Sequence, residues 1–194
     1  MTISGLVDIG FQNVNAEDNT KDSNKIAQNG SATTTINVAG TEDLGGGMKG
    51  NFRVEFNPDL VNGTGVMAAT GGMHQTFLGL AGNFGEVKMG RVNTPALSAW
   101  LTGSVFGTAL GSGYSAGQNI FSPAGAGTAP AQVFPTRYNG SIEYTTPSFN
   151  GLTARLYAVP KNDGSTDGTK NNAGVTDLGL AYNNGPLNVR SEER

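Results

Sequence analysis

The sequence predicts an all-β fold: an antiparallel sheet of about eight or nine strands, curved into an open, partial transmembrane β-barrel. Three observations predict it. Segments of roughly ten residues alternate between apolar and polar side chains, the period of a strand with two unlike faces. The connections between these segments alternate between short and long. The chain also carries 30 glycines with many Asn, Thr and Ser, a mix suited to turns.

Composition narrows the classes. The 194 residues fit one all-β domain. Charged residues are only 14%, which argues against a charge-driven disordered chain. The net charge of -3 and the lack of a basic run exclude nucleic acid as a main partner. No stretch approaches the ~18 consecutive apolar residues of a membrane helix. Met1 leads straight into strand-like sequence, so no signal peptide is expected. Cysteine is absent, so disulfides and thiolate metal sites are excluded.

Residues 1–13 read as the first strand, with Ile3, Val7, Ile9 and Phe11 on one face and Ser4, Leu6, Asp8, Gly10 and Gln12 on the other. Residues 15–32 are polar and read as a loop. A weaker strand spans 33–41 with Ile36 and Val38, and Gly45-Gly46-Gly47 turns the chain. Residues 48–57 alternate most cleanly: Met48, Phe52, Val54 and Phe56 oppose Lys49, Asn51, Arg53, Glu55 and Asn57. A Gly-rich loop follows over 58–72.

Residues 75–95 form a central hairpin around Gly82-Asn83-Phe84-Gly85, since Asn and Gly tolerate positive φ. The next stretch, 96–135, is the longest without periodicity. Loops beyond ~15 residues are usually functional or disordered. Only a short turn of helix within 96–111 is expected there. Strands resume at 136–145 (Tyr138, Ile142, Tyr144 on one face), 152–159 (Leu152, Ala154, Leu156, Ala158) and 175–182 (Leu178, Leu180, Tyr182). Asn183-Asn184-Gly185 turns into a last strand from Pro186.

The connections thus run long, short, long, short, very long, short, long, short. Short turns gather at one end of the sheet and long loops at the other. In an outer-membrane barrel the short turns face the periplasm. Phe11, Phe56, Tyr144 and Tyr182 lie near strand ends, where interfacial aromatic girdles form.

Four motifs stand in register with a known family: Ser4-Gly5-Leu6-Val7-Asp8, the run Gly40-Thr41-Glu42-Asp43-Leu44-Gly45-Gly46-Gly47, the central Gly79-Leu80 through Asn83-Phe84-Gly85 to Gly90-Arg91, and Arg137-Tyr138-Asn139-Gly140-Ser141-Ile142. By these, the chain resembles the general porins of Gram-negative bacteria, especially the β-proteobacterial type. The resemblance covers essentially the whole chain. It implies a homotrimer of about sixteen-stranded barrels in the outer membrane, embedded in lipid, passing ions and small hydrophilic solutes. Its third external loop folds into the pore, and residues 96–135 stand in that place. Residues 1–194 are therefore expected to be a single but incomplete barrel domain, about half the family's length.

The expected pore-lining set is Lys49, Arg53, Glu55, His74, Arg137, Glu143 and Arg155. Arg137 matches a position of the family's basic ladder. His74 and Thr35 stand where arginines are usual. No Asp or Glu occurs between Val92 and Ile142, so the acidic half of the family's transverse field is missing. Lumen-facing Lys49, Arg53, Arg137 and Arg155 balance Asp8, Glu55, Glu143 and Asp177, which leaves a slight lean to anions at the constriction. Strict alternation turns Arg91 toward lipid, where a midplane arginine costs ~2–4 kcal/mol; a bulge at Gly90 or a place near the rim relieves this.

Catalysis is not expected. His74 is the only histidine, and Asp8, Glu55 and Glu143 read as solvated carboxylates rather than general acids. No cofactor or metal is expected: Asp163 and Asp167 lack the spaced oxygen ligands of a calcium loop, and the Gly runs carry no P-loop pattern. The alternative reading is a soluble or surface β-sandwich binding glycans, adhesin-like or lectin-like.

Overall fold

A computed structural model describes residues 1–14, 23–63, 73–103, 137–160 and 174–193. Along them run β1 (Thr2–Leu6), β2 (Ile9–Val14), β3 (Ser23–Gln28), β4 (Thr35–Gly45), β5 (Met48–Phe56), β6 (Met73–Gly82), β7 (Gly85–Asn93), α1 (Pro95–Gly103), β8 (Arg137–Thr145), β9 (Leu152–Val159), β10 (Val175–Asn184) and β11 (Leu187–Glu193). Nine strands form one antiparallel sheet in the order β1-β4-β5-β6-β7-β8-β9-β10-β11, and β2 and β3 make a separate ribbon. The sheet does not close; β1 and β11 are its edges. The tight turns at 46–47, 83–84 and 185–186 and the short connection at 146–151 share one end, as the alternation of lengths requires.

Register sorts the side chains into two faces. Phe52 lies opposite Leu78, Leu78 opposite Met89, and Met89 opposite Ile142. Tyr144 pairs with Leu156, and Leu156 with Leu178. One continuous apolar face results. No described element packs on it: Leu78 is 64% exposed, Met89 55% and Leu156 51%. Leaving each such side chain in water forfeits about 1.5–3 kcal/mol, so this face is built for an apolar neighbour rather than for water. The two-layer sandwich does not form, because no second sheet covers Phe52, Val54 or Tyr144 among the described residues. Phe84, Tyr144, Phe149 and Tyr182 collect at the short-turn end, and the Tyr144 hydroxyl donates to the Phe84 carbonyl at 2.6 Å. Phe11 departs from the expected girdle, because it sits on the β2–β3 ribbon.

Residues 1–13 are not one strand. The chain breaks at Val7-Asp8 because Asp8 is fastened elsewhere. Its carboxylate accepts N–H groups from Ala32 at 2.7 Å and Ser31 at 2.5 Å, which holds that carboxyl below the usual carboxylate range. Its own N–H donates to the buried Thr34 hydroxyl at 3.0 Å. The expected loop over 15–32 accordingly contains β3, paired with β2 through Phe11↔Ile26. The strand expected at 33–41 runs on to Gly45. The last turn falls on Gly185-Pro186, with Asn183 and Asn184 still in β10.

The expected turn of helix is α1. Thr94 caps it: its hydroxyl accepts the Leu97 N–H at 3.2 Å, and Pro95 fills the first helical position, where a missing N–H costs nothing. Arg91 keeps its outward parity, because its neighbour Val92 is buried on the other face. The β7–β8 register shifts between Gly90 and Val92, so Asn139 and Gly140 together oppose Arg91. Arg91 Nη1 donates to Asn139 Oδ1 at 2.6 Å, two residues from the long-loop end of β7. The irregularity expected at Gly90 is present but does not turn Arg91 inward; the position near the rim and a polar partner relieve the cost.

Candidate functional site: the charged inner face

Most ionisable residues of the face opposite the apolar one fall into two groups; Asp177 of β10, 1% exposed and across from Tyr157, and Arg190 of β11 lie on it beyond them. The first centres on Glu55. Lys49, Arg53 and Glu55 recur at every second or fourth position of β5 and so share this face. His74, at the start of β6, meets Glu55 Oε1 through Nδ1 at 3.2 Å, and its Nε2 lies 2.8 Å from the Asn57 side-chain amide. Arg53 and Arg137 also bear electrostatically on Glu55. One carboxylate thus stands among two guanidinium groups, and Lys49 lies further along the same row.

The second group centres on Glu143 of β8, only 1% exposed. Lys88 of β7 reaches its Oε1 at 3.4 Å and also pairs with Glu86 at 2.8 Å. Arg155 of β9 donates from Nε to Glu143 Oε2 at 3.1 Å and again from Nη2. Arg155 Nη2 also donates to the Asn93 carbonyl at 2.9 Å, and Nη1 to the Ser98 hydroxyl at 2.6 Å. Two acids and two bases close on one another, so this group adds no net charge to the face. Lys88 also lies 5.4 Å from the Phe77 ring centroid.

Beside this network a small apolar cluster is packed on the inner face. Val92, Tyr157 and Val159 are buried together, with Phe77, Tyr138 and Val175 packed around them. The Tyr157 hydroxyl donates to the Val92 carbonyl at 3.2 Å and accepts the Tyr138 N–H at 3.2 Å. Helix α1 lies over β10 and β11, with Pro95, Ala96 and Leu97 buried. Gly179 makes this approach possible, since a Cβ there would stand 2.7 Å from Pro95 Cβ. Of the stretch 96–135, residues 104–135 lie outside the described residues, as do Asp163 and Asp167.

The structure therefore places Lys49, Arg53, Glu55, His74, Glu143 and Arg155 on one face; the bulge in β8 turns Tyr138 inward against Val92, away from the expected grouping with Ile142 and Tyr144, and leaves Arg137 across from Asn93 at the strand end, within electrostatic reach of Glu55. It removes Asp8 from that face and adds Lys88, Glu86 and Arg190, which the sequence reading did not single out. Lys88 and Glu86 alternate with Val87 and Met89, so period two alone was the signal that would have found them.

The profile of the Gram-negative porin family matches residues 1–191. "Outer membrane porin protein 32" of Delftia acidovorans is 32% identical over 97% of this chain and 52% of its own length. "Major outer membrane protein P.IB" of Neisseria gonorrhoeae is 27% identical over 90% of this chain and 47% of its own. The solved "Anion-selective porin from Comamonas acidovorans" superposes with a TM-score of 0.74 and 28% identity, covering 96% of this chain and 54% of that one. A Salmonella typhi OmpF structure shares the fold at TM-score 0.60 and 16% identity. The chain spans about half the length of the relatives it matches.

Proposed function

Because the chain belongs to the Gram-negative porin family, an outer-membrane family of channels rather than enzymes, we propose that its residues form about half the wall of a diffusion channel for ions and small hydrophilic solutes. The observation that carries this reading is the register itself. It holds an unbroken apolar face on one side of the sheet and the charged residues on the other. Lipid covers the first face, and water and solutes meet the second. A homotrimer is part of the same proposal.

The channel prefers anions weakly. Glu143 is buried and balanced, and Glu86 is paired with Lys88. Helix α1 carries no acidic residue in its first turn, and its sequence PALSAWLTG holds no charge. Arg53 and Arg137 around Glu55 leave a local positive surplus there, while Lys49 stands across from Asp43 of β4. The solved relative titled anion-selective supports this lean. Helix α1, where the stretch 96–135 begins, rests on the inner face against β10 and β11.

The test uses the complete gene product, extracted from outer membranes and placed in a planar bilayer. Stepwise conductance increments are expected, with a reversal potential in a salt gradient on the anion side. Absence of steps from folded, heat-modifiable protein would remove the proposal.

A further inference from the structure

Arg155 has more partners than a wall charge needs. Its guanidinium joins three separate pieces of chain: the Glu143 carboxylate on β8, the Asn93 carbonyl at the end of β7, and the Ser98 hydroxyl on α1. The carboxylate it meets is buried, whereas a group placed to attract passing ions would face water. A buried ion pair yields little net attraction but is costly to break from one side, which suits a fixed joint. Two further contacts hold the same helix. Arg190 Nη1 of β11 donates to the Ser98 carbonyl at 3.3 Å, and Pro95 seats on Gly179. The planar fork of arginine serves several acceptors at once; a lysine ammonium does not reproduce that geometry.

The geometry points to Arg155 as a positioning residue. Through its ion pair with Glu143 it latches α1 to the inner wall, and so sets the width of the lumen rather than its charge preference. This rests on the channel reading above. The latch spends the charge of Arg155 on Glu143 and the loop, which leaves selection between ions to the group around Glu55.

Two variants of the complete protein separate geometry from charge. Arg155→Lys keeps the charge and loses the fork. Gly179→Ala keeps every charge and pushes against Pro95. Both are expected to lose the uniform conductance step of the parent and to show larger, noisier levels, with an unchanged reversal potential. Arg155→Lys traces identical to the parent, or a shifted reversal potential at unchanged conductance, would overturn the latch. A second readout does not depend on conduction. These 194 residues hold no cysteine, so Leu101→Cys on α1, with any cysteine elsewhere in the complete protein replaced by serine, gives a single thiol. A bulky maleimide should label it faster in the Arg155→Lys and Gly179→Ala backgrounds; equal rates in protein that keeps its heat-modifiable mobility would also overturn the latch. If the parent itself gives no current steps, the channel reading fails, and the labelling rates still decide the latch.

Discussion

Leu78→Arg is expected to destabilise the folded protein in a bilayer by about 2–4 kcal/mol, the cost of a cation near the middle of a lipid-facing strand. Leu78 lies midway along β6, between Phe52 and Met89 on the neighbouring strands. Every one of those side chains belongs to the apolar face, so a guanidinium there finds no carboxylate within the register. Arg91 does not set a precedent, because it sits near the strand end and donates to Asn139. Ala81→Arg is the control. Ala81 lies three residues on, on the opposite face, with Glu86 directly across on β7 and Lys49 across on β5. Its effect is expected to stay within about 1 kcal/mol, the scale of an exposed ion pair. Equilibrium unfolding by denaturant in lipid vesicles reads both. Equal losses for the two variants would mean that the faces do not differ in solvent.

Arg137→Glu is expected to turn the weak anion preference toward cations. The change is two charge units beside Glu55. Felt through water at ~8 Å, two units amount to about 1 kcal/mol, and screening at ~0.15 M salt leaves roughly a third of that. Opposite effects on the two ion signs then combine to about a fourfold change in the permeability ratio, growing as salt is lowered. Arg137→Gln should give about half the shift in free energy, which distinguishes the charge effect from local damage. An unchanged reversal potential with both variants would take Arg137 off the pore wall. Arg155→Lys, in contrast, should leave the same measurement untouched while altering the conductance.

The strands were legible because each carries its own period. Residues 48–57 alternate so regularly that β5 and both its faces follow without any partner. The hairpin of β6 and β7 was legible from Asn83 within its glycine-flanked turn. What the sequence hid depends on contacts between distant residues. The break at Asp8 requires Ser31, Ala32 and Thr34, more than twenty residues away, and no local pattern announces them. Nor did the count of lumen charges show which were already spent: Glu143 is balanced by Lys88 and Arg155, which arrive from two other strands. Helix α1 is the case where a signal was present. Thr94-Pro95 is a cap followed by a proline suited to the first turn, but the apolar, glycine-rich run beyond it lacks helical periodicity.

The account depends on β5 presenting alternate residues to lipid and to water. Single cysteines at positions 51, 52, 53 and 54 of this cysteine-free stretch measure this directly in the membrane-inserted complete protein, with any cysteine elsewhere replaced by serine. A membrane-impermeant thiol reagent should label Asn51→Cys and Arg53→Cys, while Phe52→Cys and Val54→Cys resist it and are reached by lipid-soluble probes. Labelling without alternation, or with the two sets exchanged, would contradict the inward charged face and the channel built on it.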